Sequence, residues 1–76
     1  MKVKFLSPFD EETMVTKTIK VENTKDGFTF NFTACGGRHF CLERFSDGNY
    51  KFSTANDPAD PWDWREYDEE EFSVVE

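Results

Sequence analysis

Residues 28–45, FTFNFTACGGRHFCLERF, constrain the fold more than any other part of this chain. Phe28, Phe30 and Phe32 alternate with Thr29, Asn31 and Thr33, the period-two pattern of a half-buried strand. Gly36-Gly37 marks a reversal, and a second apolar alternation follows through Phe40 and Leu42. A two-residue loop would pair Phe32 with Cys41 and turn Phe40 and Leu42 to the wrong face. A three-residue loop of Gly36, Gly37 and Arg38 pairs Cys35 with His39 and Phe32 with Leu42. It gathers Phe30, Phe32, Phe40 and Leu42 on one face, so it is the expected register. Cys35, His39, Cys41 and Phe45 then share the opposite face.

The flanking sequence reads the same way. Residues 2–6, KVKFL, predict a short strand with Val3 and Phe5 on one side, ended by Ser7-Pro8. Asp10, Glu11 and Glu12 form an exposed connection. Residues 13–22, TMVTKTIKVE, predict a β-branched strand with Val15, Ile19 and Val21 on its buried parity. A turn over residues 23–27, led by Asp26-Gly27, would place Val21 opposite Phe30 and Ile19 opposite Phe32. Asp47-Gly48 marks another hairpin turn. A two-residue loop there pairs Phe45 with Tyr50 and Glu43 with Phe52, leaving Tyr50 and Phe52 on the Cys41 face. That second face needs a cover, and the C-terminal segment is the expected one. Asp60-Pro61 has the form of a helix cap followed by a first-turn proline, so a short helical segment is expected near residues 61–68. Trp62, Trp64 and Tyr67 would pack from it onto the sheet. Phe72, Val74 and Val75 could add a last strand at an edge.

The expected fold is therefore mainly β: a small antiparallel β-meander of five to six strands, curled as a half-barrel or barrel, with one short helical segment. The expected core is Val3, Phe5, Val15, Ile19, Val21, Phe28, Phe30, Phe32, Phe40, Leu42, Phe52 and Trp64. Seventy-six residues make a single small domain, 1–76. It divides into a β-meander core, 1–56, and an acidic aromatic C-terminal segment, 57–76. The net charge of -7 is unevenly placed. Residues 1–56 carry seven acidic and eight basic side chains, whereas residues 57–76 carry nine acids against Arg65 alone. Such a segment repels phosphate, so direct nucleic-acid binding is not expected. It would attract a basic protein surface and speed encounter with it.

The opening MKVKFLSPFD lacks a long apolar run, and no window reaches the length of a membrane span, so neither a leader nor a membrane partner is expected. Two cysteines without secretion signals predict free thiols and a cytoplasmic location. A Cys35–Cys41 bridge would run diagonally, at about 7–8 Å, too far for a disulfide. Cys35, His39 and Cys41 are the one grouping with ligand chemistry. Structural zinc takes four protein ligands, and C-x3-H-x-C supplies three, so no metal or cofactor is expected. A Cys–His nucleophile would need an oxyanion hole and a pocket, neither of which the sequence suggests.

The run WDWREYDEEEF, residues 62–72, is the candidate interaction patch, with Asp60, Trp62, Asp63, Tyr67, Asp68, Glu69, Glu70 and Glu71 as its members. Carboxylates interleaved with Trp and Tyr combine steering charge with anchoring rings. The six residues Tyr67, Asp68, Glu69, Glu70, Glu71 and Phe72 are similar to acidic-aromatic runs in some small phage inhibitors of CRISPR nucleases. The expected function is a non-catalytic cytosolic protein-interaction module. The alternative, which that resemblance implies, is a phage or mobile-element inhibitor that mimics nucleic acid. A metal- or thiol-dependent enzyme at Cys35, His39 and Cys41 is the third reading. An edge strand could also pair two copies as a homodimer.

Overall fold

Alternation carries through into the long strands of the computed structural model, which describes residues 1–10, 12–21 and 26–75. The strands are β1 (Lys2–Leu6), β2 (Met14–Thr18), β3 (Phe28–Ala34), β4 (Arg38–Arg44), β5 (Tyr50–Ala55), β6 (Arg65–Glu66) and β7 (Phe72–Val75). They form two antiparallel sheets, ordered β2-β1-β7 and β3-β4-β5-β6. The chain is all-β, with no helix among the described residues. The mainly antiparallel β class is the one the sequence predicts, but the strands divide into two sheets instead of one curled meander and do not close into a barrel. Two sheets share one interior.

The departure begins after β2. The expected hairpin between residues 13–22 and β3 does not form. Instead β2 pairs with β1, with Phe5 opposite Val15 and Lys4 opposite Thr16, while β3 pairs with β4. The apolar faces of β2 and β3 still meet, but across the gap between sheets: Lys17 Nζ lies 5.8 Å from the centre of the Phe32 ring. Side-chain parity is satisfied either way, so parity alone could not choose between them. β2 stops at Thr18 because its partner runs out, and Ile19 N–H makes a last bond to Met1 O at 2.9 Å. Of the turn expected at 23–27, residues 23–25 lie outside the described residues. Gly27 has φ +89°, and a Cβ there would sit 2.5 Å from Arg44 O.

The β3–β4 loop has the expected three residues but starts one residue earlier, at Cys35, Gly36 and Gly37, all with positive φ. Phe32 therefore opposes Phe40, and Ala34 opposes Arg38. The register moves by two residues, which keeps the faces within the two strands as expected and moves Cys35 into the loop. The β4–β5 register moves by one, which does not. Phe45 N–H bonds Asn49 O at 2.8 Å, and Gly48 N–H bonds Phe45 O at 3.0 Å. Gly48, at φ +91°, takes the left-handed position of a three-residue loop. Leu42 then opposes Phe52, and Arg44 opposes Tyr50. A one-residue slip exchanges faces, so Phe52 joins the interior while Ser53 and Ala55 turn outward.

The interior is a stack of rings. Phe40 lies 5.3 Å from Phe32 and 5.7 Å from Phe52, with ring planes 13° and 11° apart. Phe5 of the other sheet presses on this stack, 4.7 Å from Phe40 and 5.1 Å from Phe52. Val3, Phe5, Phe40, Leu42 and Phe52 are fully buried, whereas Phe28, Phe30 and Phe32 are only half-buried. Each ring pair adds about 0.5–1.5 kcal/mol beyond the area it buries. Thr54 is also fully buried, and its hydroxyl is satisfied: Oγ1 donates to His39 O at 2.9 Å and accepts from Arg38 Nε at 3.0 Å.

Candidate interaction surface

The acidic segment leaves β5 at Ala55 and forms a loop built by its own carboxylates. Asp57 N–H donates to Asp63 Oδ2, and Ala59 N–H to Asp57 Oδ1 at 3.0 Å. Trp62 N–H donates to Asp60 Oδ1 at 2.9 Å, and Asp63 N–H to Asp60 O at 3.1 Å. This is the cap that Asp60-Pro61 predicts, but only one turn follows it. The expected helix near 61–68 is absent because Arg65–Glu66 pairs with β5 as β6, with Thr54 opposite Arg65 and Ser53 opposite Glu66. Short aspartates bond local backbone well outside a helix, so stopping after one turn costs little.

The same pairing decides where each ring goes. Tyr67 N–H bonds Phe52 O at 2.8 Å, which places Tyr67 on the interior parity. Its ring lies 5.0 Å from Phe52, and its hydroxyl donates to Leu6 O at 2.8 Å. Tyr67 is thus a buried tie between the sheets and presents nothing to a partner. Burial, the first cause, and the neighbouring Cys35 push its phenol up to about 12. Trp64, expected in the core, lies on the outer face instead. Its indole N–H donates to Pro58 O at 3.2 Å, and the ring borders a cleft of about 200 Å³ with His39, Thr33 and Asn31. The segment does cover the second face, since Ser53 and Ala55 are buried. Trp62 points away from everything, at 93 % exposed.

The other acids form a separate turn. Glu71 N–H donates to Asp68 O, and Asp68 N–H to Glu71 Oε1, both at 2.9 Å. Leu6 N–H donates to Glu71 O at 2.9 Å and fastens this turn to β1. Glu71 is half-buried, while Asp68, Glu69 and Glu70 stay exposed. Glu69 borders a cleft with Asn49 and Tyr50, at the start of β5. The Asp60–Asp63 group follows the end of β5. The predicted patch is thus divided between the two ends of that strand, about 17 Å apart at strand rise.

Cys35, His39 and Cys41 do not come together as expected. Cys35, in the β3–β4 loop at φ +54°, packs against the core, while His39 and Cys41 lie on the outward parity of β4. Among the described residues no three His, Cys, Asp or Glu side chains are placed to hold a metal ion. Both cysteines are free. Burial pushes each thiol up, and for Cys41 the Glu43 carboxylate adds to it, so little thiolate forms at neutral pH.

Sequence reasoning missed Pro58 and His39 as neighbours of Trp64. No local signal places them together, since they meet only once the loop folds back over β4 and β5. Compared with protein-family models, curated proteins and solved structures, the chain matches none of them.

Proposed function

We propose that this chain is a small, non-catalytic protein-interaction module that engages a basic partner through the Trp62 loop, steered by the acids of its C-terminal segment. The carrying observation is the pairing of an almost fully exposed indole with a loop fixed by backbone bonds to Asp57, Asp60 and Asp63. A domain this small gains from every ring it can bury. Phe9 and Phe45 are exposed as well, but Trp62 is the most exposed ring and sits on a preorganised loop, which fits an anchor whose ordering cost is already met in the free protein. The reading includes a reducing, cytosolic setting, for which the two free thiols are the support. No helix among the described residues is long and apolar enough to cross a membrane.

Nucleic-acid mimicry is the less favoured reading, because the exposed carboxylates are split between the two ends of β5 and several bond their own loop. Affinity capture from cell lysate separates the possibilities. A partner retained by the native chain should be lost with Trp62→Ala and should come off as salt rises. Joint replacement of Asp68, Glu69 and Glu70 by Ser should weaken its salt dependence. A partner held equally by native chain and Trp62→Ala would sink the module reading. Loss with the Ser variant alone would favour mimicry.

A further inference from the structure

We propose that two copies of this chain pair through their β3 edges, antiparallel and about a two-fold axis, to extend the four-stranded sheet into one of eight strands. β3 is an outer strand, bonded on one side to β4 and to no other strand among the described residues. Its seven residues, FTFNFTA, contain neither charge nor proline, the usual devices that blunt an edge. The other edges are protected. β6 has two residues and β7 has four. β2 turns Lys17 inward over Phe32. An inward charge of that kind discourages added strands.

The occupant follows from the sequence of β3 itself. Read outward from Asn31, it is nearly a palindrome: Phe30 and Phe32, then Thr29 and Thr33, then Phe28 and Ala34. A two-fold pairing centred on Asn31 sets Thr29 opposite Thr33, and Phe30 opposite Phe32, of the second copy. Thr–Thr and aromatic pairs are favourable cross-strand neighbours, and a two-fold interface needs such self-complementarity. The half-buried Phe28, Phe30 and Phe32 would gain cover. Charge agrees. β6, which leads into the Asp68–Glu70 turn, lies at the far edge of the same sheet, while Trp64 of the loop before it borders Asn31 and Thr33 on the outer face. Pairing through β3 separates the two β6 strands by seven strand spacings, about 34 Å, several times the screening length of about 8 Å at physiological salt.

Sedimentation equilibrium of the full chain tests this. The native chain should dimerise at micromolar to millimolar concentration, more tightly as salt screens the -7 on each copy. Asn31→Lys sets two ammonium groups at the axis and should weaken the dimer about tenfold or more, with an unchanged far-ultraviolet spectrum. Asn31 is exposed, so folding should survive; Thr33→Lys, also exposed, is the second variant. Thr16→Lys on β2 adds the same charge and should leave the dimer intact. Amide exchange within residues 28–34 should slow with rising concentration in the native chain, a readout that needs no variant. A monomer at millimolar concentration, or a dimer indifferent to both β3 variants, would overturn the proposal.

Discussion

Residues 28–55 and residues 56–75 are held in place by different physics. In the first, Phe32, Phe40 and Phe52 stack within one sheet and Phe5 closes on them from the other. In the second, aspartate carboxylates accept bonds from nearby amides over residues 57–63, Tyr67 reaches deep into the interior, and half-buried Phe72 and Val74 of β7 pack against the core. Ring burial is non-directional and cooperative, so it sets global stability. Carboxylate-to-amide bonds in solvent are directional and individually weak, so they shape a surface without holding the molecule together. The difference explains how a chain short of core can leave Trp62 outside: the rings of the other region already supply the interior.

Phe40→Ala should break this contrast most severely. It removes the middle ring of the stack and should cost about 3–5 kcal/mol, comparable to the whole stability of about 3–5 kcal/mol expected for so small a domain. Circular dichroism should show a largely unfolded chain at room temperature. A cooperative melt near the native midpoint would show that the stack is not what holds the sheets. Gly27→Ala comes next. It forces a side chain into positive φ against Arg44 O, at a cost of about 1–3 kcal/mol, measured by urea denaturation.

Tyr67→Phe probes a tie between the two sheets. Losing the bond to Leu6 O should cost about 1–2 kcal/mol. The sign of its pH dependence is fixed by the raised phenol. The unfolded phenol ionises near 10 and the folded one near 12, so its contribution is full below pH 10 and fades between pH 10 and 12. Native protein should therefore lose more stability than Tyr67→Phe over that window, and parallel curves would show that the phenol does not ionise on unfolding. The smallest expected effect on stability belongs to Trp62→Ala, within about 0.5 kcal/mol. Its melting temperature should match the native one, and a large drop would mean that Trp62 supports the fold rather than a partner.

Most of the candidate surface was readable locally. The exposed Asp68, Glu69 and Glu70 and the cap at Asp60 follow from residue type and punctuation, whereas Trp62, expected to pack on the sheet, stays outside because the helix that would carry it there does not form. The positions of Tyr67 and Trp64 were not readable locally either. Each was assigned by which strand residues 65–66 joined, and that pairing is made with residues 53–54, far away in sequence.

The sequence by itself determined where the strands other than β6 would form, which side chains share a face within β1 to β4, and where glycine would reverse the chain. These depend on alternation and on backbone conformations available within a few residues. Only the tertiary structure decided that β2 joins β1 rather than β3, that the β4–β5 register brings Phe52 inside, and that residues 65–66 pair as strand instead of continuing a helix. Those choices turn on which distant partners can bury rings and bond free amides together, and alternation is blind to distance along the chain.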